Sequence, residues 1–589
     1  MNSVQSVSLL WPMSFDKTKI QNTIAQSDNF LMDIDFIKIL NEMSVDKNNP
    51  LRESYILLNL CTDAEIIRYR QKVIQDLLNN EELVLCLQRV LPMLEQIKNT
   101  GSPSDIKGEQ LLKVVQQLGI LDLYVTCICD MHSTLDKAIS NIRSDAFIQL
   151  YQMLSGVVEE QSYKDLKQKL PALKEQFEKL RSVTLGINLD AQFRAKEAVL
   201  LSINEDVFKG GSLFDLLLKR RTSSHKNQGI SPVTRIERTY TIINGVDTFV
   251  ENAFQVNLFK QVDSVIGSVA KPVAAGISDF LKVSWGARLS SLTEEVGFLI
   301  GAVGLVKKVS QTGLNMCMPD IAPIQCRIFS VNGIYNLSLA INYSYKYKDQ
   351  TLTQKIVTND IDMGPEGRIL ILTGPNQGGK TTYLQAIGQV QLLTQLGLPI
   401  PGEKAEISPV DNIYTHFPVD EKPDSNLGRL GEESKRLSDI FNKATSLSMI
   451  LLNESISSTS PGESLYISRE ILCVIKILGA RAAFATHLHD LAEGVDEINK
   501  IIPGDSKLVS MVSSAVKYSD KDDQSGESVK RTYRIIPGPP KGVSYARDIS
   551  SRYGISFDKL VSTLVNRGIV DKELNVNSYD ILLESRYKR

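Results

Sequence analysis

The chain has 589 residues, of which 42% are hydrophobic and 23% charged, with a formal net charge of −2. Such values fit a globular protein of several domains. The near-neutral balance excludes a uniformly basic nucleic-acid coat, so any nucleic-acid contact must come from a local patch. The longest glycine-tolerant apolar run, Val296 to Val306, is far shorter than the roughly 20 residues a bilayer requires, and no membrane anchor is expected. Leu9, Leu10 and Trp11 have no basic residue before them and Pro12 ends the run, a poor secretion signal. Seven cysteines without regular spacing fit reduced thiols, and the lone Cys127-x-Cys129 pair reads as buried thiols. A cytoplasmic location is expected.

From Phe36 to Ile97 apolar residues recur at three- and four-residue spacing, which predicts amphipathic helices. Gly101-Ser102-Pro103-Ser104 breaks the pattern, and helical spacing resumes from Gln110 to Leu180. Alternation in Val183 to Leu189 predicts a strand, opening a mixed insertion between helical arms. Within it, residues 219–238 carry Lys219, Arg220, Arg221, Lys226, Arg235 and Arg238 against one acid, Glu237, a local charge of +5. That stretch reads as a solvated loop or as a phosphate-contacting tip. From about residue 325 strands and helices alternate, the signature of an α/β domain. Asp520 to Glu527 reads as a polar hairpin turn between a strand ending near Tyr518 and one starting near Val529, since Gln524 and Ser525 break any calcium-loop pattern.

The strongest chemical signal is Gly374-Pro375-Asn376-Gln377-Gly378-Gly379-Lys380-Thr381, placed after the apolar strand Ile369 to Leu372 and opening a helix to about Leu396. Glycines let backbone N–H groups close around phosphate oxygens, and the helix N-terminus adds positive potential. Lys380 reaches β/γ-phosphates and the Thr381 hydroxyl ligates Mg²⁺ in such a loop, which makes ATP and Mg²⁺ the expected cofactors. A second apolar strand, Ser448 to Leu452, ends in Asn453-Glu454, the arrangement in which an acid supports the metal and a following Glu polarises water. Asn453 brings an oxygen but no charge, so Mg²⁺ is expected to be held less firmly and turnover to be slow. A third strand, Ala482 to Ala485, ends in Thr486-His487-Leu488-His489. His487 is placed to sense phosphate or orient water, while His489 carries no assignment.

These motifs resemble those of the MutS family of DNA mismatch-repair ATPases. Thr373 to Leu384, T-G-P-N-Q-G-G-K-T-T-Y-L, looks like the family's T-G-P-N-M-G-G-K-S-T loop and adds Thr382 to the nucleotide-binding set. Asp411-Asn412-Ile413-Tyr414-Thr415 resembles D-x-I-F-T, Leu451-Leu452-Asn453-Glu454 resembles L-L-D-E, and Phe484-Ala485-Thr486-His487 matches F-A-T-H. Glu65 to Val73 is similar to a segment near the start of the family's core. The resemblance implies an α/β fold with a helical lever and clamp region followed by a P-loop, ABC-type ATPase domain. It sets boundaries at 1–182 for an N-terminal segment and helical lever, 183–290 for the clamp-like insertion, 291–324 for a return lever helix, and 325–589 for the ATPase domain with C-terminal dimerising helices. It further implies duplex or branched DNA as partner, a homodimer, no membrane, Glu454 and His487 as catalytic residues, Gly374, Pro375, Asn376, Gly378, Gly379, Lys380, Thr381 and Thr382 around ATP, and Thr381 with Asn453 at the metal.

Three departures qualify this picture. Asn453 replaces the family's Asp. The S-T-F signature, whose Ser reaches the partner's ATP, is replaced by Asn426-Leu427-Gly428-Arg429-Leu430-Gly431-Glu432-Glu433, where amides of Gly428 or Gly431 would have to substitute. The core-like pattern begins by about residue 36, which leaves no room for a mismatch-reading domain. Phe249-Val250-Glu251 is the one F-x-E and reads as coincidence. The expectation is an ATPase that changes conformation on DNA without reading mismatches, the alternatives being action on branched nucleic acid, ribosomes or a protein partner, or a nucleotide-gated scaffold.

Overall fold

Amphipathic spacing in the first half produces helices with capped ends. In the computed structural model these are Phe36–Met43, Ala64–Asn79, Glu81–Thr100, Gln110–Ala138, Asp145–Glu159 and Gln161–Glu178, followed after the insertion by Thr293–Gln311. The structure describes residues 7–14, 29–45, 56, 60–100, 110–178, 182–207, 239–243, 246–250, 273–277, 289, 291–348, 350–418, 428–518, 528–540 and 557–569. The basic stretch 219–238, the turn 520–527 and residues 426 and 427 lie outside the described residues. Two units form: Met1–Thr23 with Ile37–Gln311 and Leu393–Ile400, and Ile24–Phe36 with Thr312–Leu392 and Pro401–Arg589.

The first unit is helical with two antiparallel strand pairs among its described residues. Asp63 caps the Ala64–Asn79 helix by accepting from the Glu65 amide, and Ser144 caps Asp145–Glu159 by accepting from the Phe147 amide. Asp76 in turn accepts from the amides of Arg143 and Ser144, tying one helix to the start of another. Arg70 is fully buried. Its guanidinium stacks 4.2 Å from the Trp11 ring, donates to the Leu10 carbonyl at 3.1 Å and to the Gln395 carbonyl at 3.2 Å. The expected strand is present as Ser182–Leu189, paired antiparallel with Ala195–Asn204. One helical stretch, Lys113–Asn141, is long and apolar enough to cross a membrane by length and composition, a run that the reading of Val296 to Val306 as the longest passed over. Half of its 18-residue apolar window is buried inside the protein, as in a core helix of a globular unit. Cys127 lies in this core, where burial pushes its thiol up to about 12.

The second unit is α/β, as its alternation predicts. Six strands order as Ile413–His416, Met449–Asn453, Arg481–Ala485, Ile369–Thr373, Leu508–Tyr518 and Ser528–Pro537, all parallel except the last pair. Ile369–Thr373, Met449–Asn453 and Arg481–Ala485 are buried at every residue. Their near-continuous apolar sequences are what a parallel sheet covered on both faces demands. A smaller four-stranded sheet contains Phe329–Ile334 and Asn359–Asp362. Residues 29–36 also belong to this unit, which their sequence does not announce. The Gln389 amide donates to the Ile34 carbonyl at 2.8 Å, Gln385 donates to the Asp33 carbonyl at 3.1 Å, and Thr415 donates to the Asp33 carboxylate at 2.7 Å.

Candidate nucleotide site

Parallel strands place their carboxyl ends on one edge, and in open α/β sheets ligands bind there. The Ile369–Thr373 strand leads into the glycine loop, Met449–Asn453 leads into Glu454, and Arg481–Ala485, which lies between them in the sheet, leads into Thr486 and His487. The loop closes onto the helix Lys380–Leu396. Gly374 has φ +132 and Gly379 has φ +91, a region that residues with a Cβ avoid. Space forbids side chains as well: a Cβ on Gly378 would stand 2.6 Å from the Ser513 hydroxyl and 2.8 Å from the Pro375 carbonyl. Ser513 uses that closeness, donating to the Gly378 carbonyl at 2.6 Å.

The loop and its surroundings enclose a cleft of about 550 Å³ lined by Asn376, Gly378, Gly379, Lys380, Thr381, Thr382, Glu454 and His487 among others. Every expected nucleotide-binding residue lines this cleft except Gly374 and Pro375, whose carbonyls accept from the Lys380 ammonium at 2.9 and 3.1 Å. Lys380 is buried, and desolvation lowers its pKa while the charge of Glu454 opposes that shift. The Thr381 hydroxyl donates to the Asn453 amide oxygen at 3.2 Å, so the two expected metal positions meet. A hydroxyl and an amide oxygen are hard donors that suit Mg²⁺, which keeps most of its other positions for phosphate and water. Among the described residues no group of three or more His, Cys, Asp or Glu could hold a metal alone, so a cation here would lean on phosphate oxygens.

Glu454 and His487 also meet: the His487 Nε2 lies 2.7 Å from the Glu454 carboxylate. That hydrogen bond is the main reason the Glu454 pKa lies below the usual carboxylate range, with burial opposing and the Lys380 charge adding to it. The carboxylate is thereby favoured in its charged form. His489 stands apart from this pair, at the start of the short helix His489–Glu493.

Several lining residues had no signal in the sequence. Asn336 caps the helix Leu337–Lys346 through the Leu339 amide and donates to the Thr382 carbonyl at 3.1 Å, bracing the first turn of the phosphate-loop helix. Asn359 donates to the Tyr533 carbonyl at 3.2 Å and accepts from the Ile535 amide at 2.8 Å, fixing Tyr533 at φ +56 beside the cleft. Tyr335, Tyr343, Lys355 and Val357 complete an aromatic and polar wall away from the loop. Gly428, in the segment standing where the trans signature was sought, is the N-cap of the helix Arg429–Phe441, and Gly431 lies in its first turn. The helix start has no side-chain cap.

Comparison with known proteins matches this architecture to one family in two places. Residues 370–539 match the family model of MutS domain V, and residues 62–312 match that of the MutS2 N-terminal domain. The DNA mismatch repair protein MutS of Chlorobium phaeovibrioides is 33% identical over 247 residues, 39% of this chain and 28% of that protein. The protein of the same name from Caldicellulosiruptor saccharolyticus is 23% identical over 479 residues, 79% of this chain and 53% of that protein. That from Prochlorococcus marinus is 28% identical over 262 residues, 44% of this chain and 28% of that protein. The chain thus spans about half the length of these relatives or less. With matches on both the helical segment and the strand-end site, the chain is similar to MutS proteins in both of its parts.

Proposed function

We propose that the chain is a P-loop ATPase of the ABC type that binds ATP with Mg²⁺ in the cleft and couples its hydrolysis to a conformational change on DNA. The single observation that carries this reading is the convergence, at one sheet edge, of the glycine loop, the Thr381–Asn453 pair and the Glu454–His487 pair. Gly378, Gly379 and the first amides of the Lys380–Leu396 helix cradle phosphate oxygens, and Lys380 exchanges its loop carbonyls for them. Thr381 and Asn453 would hold Mg²⁺, which when bound would supply charge neutralisation on the phosphates. Glu454 accepts a proton from the attacking water, and His487 keeps its carboxylate aimed into the cleft. The tyrosine-rich wall, with Asn336 and Asn359, takes the base and ribose.

Turnover is slow because Asn453 brings no charge to the metal. The helix opening at Gly428 completes the site of a second copy, which makes the working form a cytoplasmic homodimer. DNA is the target that the relatives' names supply, and contact through phosphates is sequence-blind and salt-dependent. The uncharged Asn453 also favours a second reading, a nucleotide-gated scaffold that binds ATP without hydrolysing it. Glu454→Gln decides between them: the ATPase reading expects ATP binding retained and turnover lost, and the scaffold reading expects no wild-type turnover to lose. Repeating turnover and binding with homoduplex, a G·T duplex, a four-way junction and RNA at two salt concentrations tests the target. Equal affinity for matched and mismatched duplex is expected. A tenfold preference for G·T, about 1.4 kcal/mol, overturns sequence-blind binding.

A further inference from the structure

The backbone that carries Glu454 is held in an unfavourable shape. Glu454 has φ +48 and Ile456 has φ +59, so two residues with side chains, one of them β-branched, occupy the left-handed region on either side of Ser455. Residues of that kind enter it only when their surroundings impose it. Three side chains grip this turn. Ser464 donates to the Ile456 carbonyl at 2.5 Å, and Ser458 donates to the Glu433 carboxylate at 2.8 Å. The third, His416, grips the residue next to Glu454: its Nδ1 lies 2.7 Å from the Ser455 hydroxyl, which also lies 3.3 Å from the carbonyl of His416 itself.

His416 is well placed for this. It ends the Ile413–His416 strand, paired in register with Leu452 of the strand that delivers Glu454, and only 1% of it is exposed. Arg436, anchored by its bond to the Phe417 carbonyl at 3.0 Å, and Glu433 face it from the Arg429–Phe441 helix, and Thr415 beside it binds Asp33. Burial, reinforced by the Arg436 charge, holds the imidazole at about 4, so it works as a neutral hydrogen-bonding ring.

We infer that His416 is a positioning residue for hydrolysis: by pinning the Ser455 hydroxyl it keeps the left-handed turn closed and the Glu454 carboxylate at its place beside His487. The inference rests on the ATPase reading but concerns a residue outside the cleft. In the full chain, His416→Ala should lower kcat tenfold or more while ATP affinity changes less than threefold. His416→Asn, which keeps a polar atom near the position of Nδ1, should restore most of the rate. Ser455→Ala should reproduce the loss, and the double variant should be no slower than either single one. Wild-type rate in His416→Ala, parallel loss of ATP binding, additive losses, or failure of Asn to rescue would each overturn the inference. Should the wild type turn over no ATP, the ATPase reading falls and hydrogen exchange at the amides of 454–456 still judges the pin. Faster exchange in both His416→Ala and Ser455→Ala supports it, and unchanged exchange refutes it.

Discussion

Gly388, in the middle of the Lys380–Leu396 helix, tests whether residues 29–36 are an integral part of the nucleotide unit. A Cβ at this glycine would stand 2.6 Å from Ile34 Cγ2 and 3.1 Å from Leu451 Cδ1, and Ile34 is fully buried. Replacing glycine by alanine inside a helix gains about 1 kcal/mol from backbone entropy. Overpacking a closed contact costs about 1–3 kcal/mol. Gly388→Ala should therefore destabilise the wild type by roughly 1 kcal/mol, the difference between the two. Ile34→Ala alone costs about 2–5 kcal/mol through the cavity it leaves, but it deletes Cγ2. In that background the 3.1 Å contact to Leu451 remains, so Gly388→Ala should cost clearly less than in the wild type, with a gain of at most about 1 kcal/mol. The cycle of four proteins, followed by urea unfolding with pulse proteolysis, reads the coupling directly. An equal cost of Gly388→Ala in both backgrounds would refute the packing of Ile34 against this helix.

Lys380→Ala should weaken ATP binding by several kcal/mol, the scale of buried charge-assisted contacts, and calorimetry with unchanged affinity would remove the lysine from the phosphate site. Asn453→Asp should raise Mg²⁺ affinity by adding a carboxylate beside Thr381, and an unchanged Mg²⁺ dependence of ATP binding would move the metal elsewhere. Acidification should destabilise the protein through His416. Its pKa is about 4 when folded against the ordinary 6.5, so its contribution is fully present above 6.5 and lost as pH falls towards 4. The span amounts to about 3 kcal/mol. Glu454 shifts in the direction that also loses stability on acidification, so the measurement is the difference between wild type and His416→Asn across this window. A flat difference would show that the ring is not buried neutral.

The legible part of the site is the part written locally. A glycine loop between an apolar strand and a helix, and polar residues at the ends of two further apolar strands, are short-range patterns. Parallel pairing then brings Gly378, Asn453 and His487 to one edge whatever the rest of the chain does. The helical first half was legible for the same reason, through its spacing. What the sequence hides is the support. Ser513 reaches Gly378 across 135 positions and Gln389 reaches Ile34 across 355. Asn336, Asn359 and His416 are ordinary polar residues until the sheet closes around them. No spacing rule marks a serine as the pin of a strained turn, because the strain belongs to a backbone conformation that only the fold imposes.

The Asn453 departure has an electrostatic logic. Lys380 is buried and has one opposing charge near it, Glu454, where a site with Asp at position 453 would have two. Removing a carboxylate from a desolvated cleft lessens repulsion of the nucleotide's phosphates while weakening the hold on a cation, since both effects scale with the same charge. On the proposed reading, such a site would bind the nucleotide with less dependence on Mg²⁺ and turn it over more slowly. On that reading the Glu454–His487 pair and the turn next to it would carry a larger share of the hydrolysis. That makes the geometry of the turn, held from the neighbouring strand by His416, matter more here than in a site where a second carboxylate anchors the metal.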